Sequence, residues 1–317
     1  MLVECVANFS EGRRPEVVAA IVEVARGPGV HVLDASADAD HHRFVLTLAG
    51  EGEAVAGAAW RAVAAAVARI DLTQHRGTHH RIGAADVVPF VPLGDTPMSY
   101  CVALAESVGQ RIGSELGVPV YLYGEAARRP RRRNLARVRR GEFEGLAARM
   151  RDPSWAPDFG PAAPHPTAGA VAVGARPALV AFNVWISTGD PAVANAVARA
   201  VRGSSGGLVG VKALAMDTVG HGRMQVSMNL VDFRRTSLPA ALEMVRREAA
   251  RFGATVTETE IVGMVPLAAM LASAQYYLQA HRFSAGQVLE LGLSDLARVQ
   301  PAASGSDEAE MAGGQPG

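Results

Sequence analysis

The order in which strand-like and helix-like segments recur constrains the fold of this chain more than any single motif. In the first half, short apolar segments of strand type alternate with Ala- and Val-rich segments of helical length. The predicted order is strand 2–7, helix 15–26, strands 31–34 and 43–49, helix 51–70, strand 86–92, helix 98–116 and strand 118–123. A β-α-β-β-α-β order followed by α-β indicates a ferredoxin-like, split β-α-β arrangement.

The second half has the same order of elements without an evident repeat in sequence. The predicted order is strand 179–186, helix 190–202, strands 210–216 and 223–233, helix 237–252, strand 255–262 and helix 266–280. A chain of 317 residues also exceeds the size at which a single core usually stops growing. We therefore expect an α/β (α+β) protein of two ferredoxin-like domains with mixed sheets, residues 1–170 and 171–301, and a disordered tail over residues 302–317.

A proline-rich segment separates the two predicted halves. Residues 152–169 contain five prolines, and such a stretch cannot form regular structure throughout. One interpretation is a linker between the domains. The other is a rigid loop that lines a cleft between them, because long structured loops often carry function. The sequence leaves both interpretations open.

The overall charge points to no polyanionic partner, because 31 basic residues balance 31 acidic ones. Eight of the arginines lie within residues 128–140. A solvated face is the favoured interpretation of this run, a rim that guides an anionic small molecule is the second, and a nucleic-acid surface is the third. Because the run lacks interleaved aromatic residues, we expect no nucleic-acid partner.

The two cysteines and the N-terminal sequence indicate a reducing, cytoplasmic location. Cys5 and Cys101 cannot build a framework of disulfides, so we expect them to be small core residues. The chain shows no signal peptide and no apolar stretch of about 18 residues or more, so we expect no membrane association.

The densest cluster of reactive side chains lies in residues 74–86. It carries His75, His79 and His80 together with two arginines and two glycines. A histidine titrates near neutral pH and can take and return a proton, while an arginine can hold a carboxylate. A surface loop without a catalytic role is an equally open interpretation. A metal site is disfavoured, because Gly77 separates His75 from His79 and no cysteine or carboxylate stands at ligand spacing.

A second polar cluster lies in the turn between two predicted strands. It contains Asp38, Asp40, His41, His42 and Arg43. A solvated turn is the simplest interpretation. Because the turn belongs to the same half of the chain as His79, a shared pocket is the alternative.

Several ordered blocks of sequence resemble one enzyme family, the glutamate formiminotransferases. The resemblance is carried by residues 2–12, 75–90, 118–127, 155–161, 181–183, 225–233 and 262–267. It implies a transferase of two α/β domains with a ligand cleft or tunnel between them, usually a homodimer. The implied reaction moves the formimino group of N-formimino-L-glutamate to N5 of tetrahydrofolate, a co-substrate, in histidine degradation, without a metal. Vertebrate members are fused to a cyclodeaminase, and here we expect a separate one to act downstream.

The resemblance also assigns residues. The family's catalytic histidine, in a G-x-H-P-R segment, falls on His79, which acts as general acid and base. The family's folate-binding loop falls on Gly160, Pro161, Ala162, Ala163, Pro164, His165, Pro166, Thr167, Ala168 and Gly169. Possible carboxylate anchors or proton-relay partners are Arg43, His42, Asp40, Arg76, Arg81 and His80.

The chain departs from the family's pattern at three positions. His80 stands where the family has proline, and His42 stands where it often has asparagine. An acidic residue that assists proton transfer in some members aligns with Ser36, although Asp38 and Asp40 lie close by. Two alternatives stay open. One is transfer of a formyl group from N-formylglutamate, because amide and amidine carbons have similar shapes, and the other is a folate-binding homologue without catalysis, because His80 and His42 alter the site.

Overall fold

The computed structural model describes residues 1–77, 80–217 and 222–293. The chain divides into two compact units, Met1–Pro266 and Leu267–Gly317. The first unit contains two β-sheets with their helices, and the described part of the second contains helix α8 (Leu267–Leu278). The tail expected at residues 302–317 lies outside the described residues. Across the described ranges, no helix combines the length and the apolar character needed to cross a bilayer.

The first sheet has six strands in the order β2-β3-β1-β4-β6-β5. Their bounds are β1 (Leu2–Phe9), β2 (Val30–Asp38), β3 (Arg43–Glu51), β4 (Ala85–Pro92), β5 (Val120–Gly124) and β6 (Val171–Ala175). Antiparallel pairs join β2 to β3 and place β1 between β3 and β4, whereas β6 pairs in parallel with both β4 and β5. The sheet is therefore mixed, as predicted.

Helices cover one face of this sheet. They are α1 (Pro15–Ala25), α2 (Gly52–Arg69) and α3 (Met98–Glu115). In β1, Val3, Cys5, Ala7 and Phe9 are fully buried in the core shared with these helices, while the alternate residues are less buried. Because successive strand residues point to opposite faces, this alternation leaves the second face of the sheet available for polar side chains.

The second sheet has four strands in the order β10-β7-β9-β8, all paired antiparallel. Its elements are β7 (Val180–Ile186), α6 (Pro191–Val201), β8 (Val211–Asp217), β9 (Met224–Leu230), α7 (Leu238–Ala250) and β10 (Val256–Val262). If the strands of each β-α-β-β-α-β unit are numbered 1 to 4, both sheets contain the order 4-1-3-2. The predicted repeat of element order is thus also a repeat of strand topology.

Three elements were not predicted from the sequence: β6 and the short helices α4 (Leu135–Val138) and α5 (Glu142–Met150). Strand β6 is buried on both faces, and such a strand lacks the alternation that signals a half-exposed one. It lies after residue 170, where the first domain was expected to end, yet it pairs within the first sheet. The change of sheet falls between β6 and β7.

The arginine run is solvated only in part. Arg128, Arg133, Arg137 and Arg140 are exposed, as the favoured interpretation expected, whereas other members of the run pack into the structure. Arg132 has no exposed side-chain surface and pairs with Asp158 at 2.6 Å. The guanidinium groups of Arg131 and Arg149 lie 4.7 and 4.6 Å from the ring centre of Trp155. The electron-rich ring face attracts these cations. Arg131 and Arg132 of the run, together with Arg149 outside it, therefore hold the proline-rich segment by contacts that charge counting along the sequence does not reveal.

Removing the Asp158 carboxylate should destabilise the first sheet. Asp158 also accepts a hydrogen bond from the backbone N–H of Leu122 in β5, at 2.8 Å. Asp158→Ala would leave the Arg132 charge buried without its counter-ion, so we expect the free energy of unfolding to fall by about 3–5 kcal/mol. Urea denaturation measures the change. Asp95→Ala, at an exposed position, is the control and should stay within about 0.5 kcal/mol. A loss below 1 kcal/mol for Asp158→Ala would contradict the expectation (~3–5).

Candidate functional site

The described part of the histidine cluster lies against the turn between β2 and β3. His75 is buried, and its ring stacks on His42 with 4.1 Å between ring centres and 11° between planes. Its Nε2 donates to the backbone oxygen of His42 at 2.9 Å, and its Nδ1 accepts from Nε of Arg81 at 3.1 Å. Burial lowers the pKa of His75 below its ordinary value. His75 is therefore held as the neutral ring with hydrogen on Nε2.

His42 faces oxygen acceptors with both ring nitrogens. Its Nδ1 lies 3.0 Å from the backbone oxygen of Arg76, and its Nε2 lies 3.2 Å from Oε1 of Glu11. Both contacts are hydrogen bonds only when both nitrogens carry hydrogen. The backbone of His42 is left-handed, with φ at 50°, a conformation that few side chains adopt.

Glu11 supplies a buried carboxylate at the start of α1. Its side chain is 1% exposed, and Oε1 accepts backbone N–H groups from Gly12, Arg13 and Arg14 at 3.0, 2.9 and 3.1 Å. Oε2 pairs with the guanidinium of Arg14. Burial by itself raises the pKa of Glu11, but the hydrogen bonds from Arg13 and Arg14 outweigh it and lower the pKa below the ordinary value. The negative charge beside His42 is thus secured.

The other end of the cluster is held by α5. Arg81 is buried and donates to Glu144 at 2.7 and 3.0 Å and to Glu142 at 3.2 Å. His80 is exposed, and its Nδ1 lies 2.8 Å from the carboxylate of Glu142. Glu142 also has left-handed backbone, with φ at 54°. Arg81 is therefore committed to protein carboxylates.

A buried aspartate joins the cluster to the first sheet. Asp86 in β4 accepts from the backbone N–H of Ile82 at 2.9 Å and pairs with Arg139 at 2.6 Å and Arg43 at 3.5 Å. Arg43 also donates to Oδ1 of Asn8 in β1, at 2.5 and 2.8 Å. Burial and the neighbouring Arg139 lower the pKa of Arg43, and the charge of Asp86 offsets part of this decrease. Arg43 thus lies beside the cluster, among protein partners.

The remaining predicted polar residues lie at the surface. Asp40 is exposed in the same turn as Asp38, which accepts the backbone N–H and the ring Nδ1 of His41. Arg76 is exposed and donates to the backbone oxygens of Thr73 and His75. A small concavity is lined by Ser10, His41, His42, Arg43, His75 and Arg81. The turn and the described part of the histidine cluster therefore line one concavity, while the expected pocket shared with His79 stays a prediction.

The predicted catalytic residue, His79, lies outside the described residues, together with Thr78. The chain on either side is closely placed. At Gly77, a Cβ would lie 2.7 Å from the backbone oxygen of His41 and 2.9 Å from Cβ of His42, so only glycine fits there without a shift. Gly77 therefore lies against the β2–β3 turn, and His80 lies beside Glu142.

The predicted folate loop is fixed at both ends. Gly160 and Gly169 have φ values of 82° and 69°. The loop returns to the cluster, because the backbone oxygens of Thr167 and Ala168 accept from Leu72 and Ala84 at 2.8 and 3.0 Å. The proline-rich segment is thus a structured loop on the first sheet, and its end lies beside the histidine cluster. Pro161, Ala162 and Ala163 are exposed.

Sequence reasoning missed the acidic partners of this site. The residues that were not singled out are Glu11, Asp86, Glu142 and Glu144, together with Asn8 and Arg139. An available signal for Glu11 was an acidic residue just before a helix that begins with proline, a favoured place for a carboxylate. Within the described ranges, no group of three or more His, Cys, Asp or Glu side chains is placed to hold a metal ion.

The substitution Gly169→Ala should push the loop of residues 160–169 away from the histidine cluster. A Cβ there would lie 2.2 Å from the backbone oxygen of Ile82, whereas a Cβ at Gly117, with a similar φ of 66°, would meet nothing within 4 Å. Both Gly→Ala changes carry the left-handed backbone cost of about 1–2 kcal/mol. Gly169→Ala should lose a further ~1–3 kcal/mol of unfolding free energy in urea. Equal losses in the two variants would contradict the close approach.

The lowered pKa of His75 predicts a pH dependence of stability. The unfolded chain binds a proton at His75 below about pH 6.5, whereas the folded protein resists it until lower pH. Stability from this group is therefore constant above that pH and falls as the pH drops, by at most ~1.4 kcal/mol per unit. A glutamine side chain at this position would keep one donor and one acceptor without titrating, so His75→Gln should flatten this fall. Urea unfolding at several pH values tests this, with His31→Gln as the exposed control. An identical slope in wild type and His75→Gln would refute it.

Comparison with known proteins places these elements in one family. The N-terminal subdomain of the formiminotransferase domain matches residues 2–176, and the formiminotransferase domain matches residues 181–304, so the change between matches falls between β6 and β7. The chain is 44% identical over 283 residues to a glutamate formimidoyltransferase of Streptococcus pyogenes serotype M1, covering 89% of this chain and 95% of the relative.

Two further relatives extend the match. A glutamate formimidoyltransferase of Thermoplasma acidophilum is 44% identical over 302 residues, covering 94% of this chain and 99% of the relative. A formimidoyltransferase-cyclodeaminase of Sus scrofa is 41% identical over 314 residues, covering 95% of this chain but 58% of that longer protein. Matches of this extent run through both sheets and through the histidine cluster. The chain belongs to the formiminotransferase domain family.

Proposed function

We propose that this chain transfers the formimino group of N-formimino-L-glutamate to N5 of tetrahydrofolate. The observation that carries the proposal is 44% identity to two proteins named glutamate formimidoyltransferase, over 95% and 99% of their lengths. Those names favour a formimidoyl donor over N-formylglutamate, and a transferase over a folate-binding protein without catalysis.

His79 is the proton carrier in this proposal. As N5 of tetrahydrofolate attacks the amidine carbon, N5 must lose a proton and the departing glutamate nitrogen must gain one. A single imidazole can take the first proton as general base and deliver the second as general acid, because it titrates near neutral pH. The oxidation state of the transferred carbon does not change, so the reaction needs no redox cofactor.

The surroundings of residues 75–81 support this role. Arg81 is committed to Glu142 and Glu144, and His75 is buried and neutral. Arg76 is exposed beside the segment, so we assign it, ahead of Arg81, to the glutamate carboxylates. The loop of residues 160–169 is proposed to contact tetrahydrofolate, since its end is hydrogen-bonded to both sides of the cluster.

Assembly and pathway belong to the same proposal. As implied by the resemblance, we place the chain in the cytoplasm as a homodimer that passes its product to a cyclodeaminase. The name of the Sus scrofa relative joins these two activities in one protein.

Replacement of His79 tests the mechanism directly. We expect His79→Ala to lower kcat by about 10²–10⁴-fold, the usual contribution of positioned proton transfer. Formation of 5-formiminotetrahydrofolate from the two purified substrates is measured, with circular dichroism to verify folding. His80→Ala is the adjacent control, and its kcat should remain within tenfold (about 1.4 kcal/mol) of the wild type. Transfer by His79→Ala at the wild-type rate would exclude His79 as the proton carrier. Turnover of N-formylglutamate without turnover of N-formimino-L-glutamate would exclude the proposed donor.

A further inference from the structure

Two histidines interlock the β2–β3 turn with the segment of residues 75–77. The ring of His42 donates to the backbone oxygen of Arg76, and the ring of His75 donates back to the backbone oxygen of His42. The rings stack between these two hydrogen bonds. Each segment is thus held by a histidine side chain of the other. Both contacts on the cluster side, at His75 and Arg76, lie within two residues of Gly77.

The two rings differ in charge. His75 must keep a lone pair on Nδ1, because Nε of Arg81 donates to it. His42 must carry hydrogen on both nitrogens to contact Glu11 and Arg76. A charged ring stacked on a neutral one is attractive, whereas two charged rings would repel each other.

We propose that Glu11 and His42 are positioning residues of the transfer reaction: the buried Glu11 carboxylate keeps His42 doubly protonated, and His42 then fixes the main chain that leads into His79. This inference rests on the proposed function. The contacts begin at the start of α1, where three backbone N–H groups hold Oε1 of Glu11 in place. From there the contacts run through His42 to the backbone oxygen of Arg76, next to Gly77.

The backbone conformations of His42 and Glu142 support a positioning role for their contacts. Among the described residues, the non-glycine positions with positive φ are His42, Glu142 and Gln279. Two of these, His42 and Glu142, contact opposite ends of the segment that contains residues 78–79. Left-handed backbone costs an L-residue about 1–3 kcal/mol, and such strain persists where surrounding contacts maintain it.

Small displacements of a catalytic group have large effects on rate. A misplacement of about 1 Å can lower a rate by about 10²-fold, even when the altered residue is remote from the chemistry. Residues 78–79 follow Gly77 directly, so loosening the Arg76 oxygen would act on kcat. Substrate affinity would be affected less, because neither Glu11 nor His42 is assigned to a substrate.

Charged and titratable groups from several elements surround the ring of His42. The groups that face it are Glu11 and Arg14 from the start of α1, Asp38, His41 and Arg43 from its own turn and β3, and His75, Arg76 and Arg81 from the cluster. Glu11 is the buried anion in direct contact with the ring. Removing its charge takes away the ion pair that holds the ring, so the contact between His42 and the backbone oxygen of Arg76 should loosen.

Two conservative variants and a control test the proposal. Glu11→Gln keeps an oxygen for the backbone N–H groups but loses the charge. His42→Asn keeps tolerance of left-handed backbone but cannot reach both partners. His31→Asn, the control, changes an exposed ring in β2 outside the site. Steady-state kcat and KM for both substrates and thermal midpoints are measured, with ¹⁵N NMR of the histidine rings of the wild type and of His42→Asn.

We expect Glu11→Gln and His42→Asn to lower kcat at least about tenfold, within the range that misplacement produces. KM should stay within about twofold in a folded protein, because no assigned substrate contact changes. His31→Asn should match the wild type, because it lies outside the site. Wild-type spectra should show one ring with hydrogen on both nitrogens, absent in His42→Asn, and one neutral ring with hydrogen on Nε2. If the wild type turns over, this inference alone is overturned by any of three results. They are an unchanged kcat in Glu11→Gln and His42→Asn, a rise in KM alone in these variants, or a neutral His42 ring in the wild type at pH 7. Absence of turnover in the wild type overturns the proposed function and this inference with it, and the NMR result distinguishes the two failures.

Discussion

Buried carboxylates hold the irregular parts of this protein to its first sheet. Glu11, Asp86 and Asp158 are each at most 5% exposed, and each accepts at least one backbone N–H and pairs with an arginine. An unpaired buried charge is costly, whereas a paired and hydrogen-bonded one specifies a single arrangement. The three carboxylates therefore determine where the β1–α1 turn, the histidine cluster and the proline-rich loop lie.

These three segments converge because each is tied to neighbouring strands. Asp86 links the cluster to β4, and Asp158 links the proline-rich loop to β5. The loop then returns to the cluster through Thr167 and Ala168. Regular strands and helices provide the rigid base, and paired charges fix the loops on it. A site that handles protons benefits from such a base, since its groups must be held to a fraction of an ångström.

The regular elements could be predicted because their signals are local. The alternation in β1 and the Asp190 cap of α6, which accepts from Ala192 N at 2.8 Å, are both readable over a few residues. Strand β6 and helices α4 and α5 were missed, because a strand buried on both faces and two very short helices lack a periodic pattern. In the structure, four residues of the two polar clusters line one concavity, namely His42, Arg43, His75 and Arg81, but their acidic partners did not stand out in the sequence.

The sequence by itself determined the repeat of β-α-β-β-α-β units, because periodicity and spacing are local signals, and its ordered blocks carried the resemblance to the family and its chemistry. The tertiary structure decided which histidine is neutral and which carries two ring hydrogens. Glu11 and His42 lie 31 positions apart, and only the fold brings that carboxylate to the ring. Protonation depends on burial and on neighbouring charges. Both are properties of the folded site, so two residues with the same side chain acquire opposite roles there.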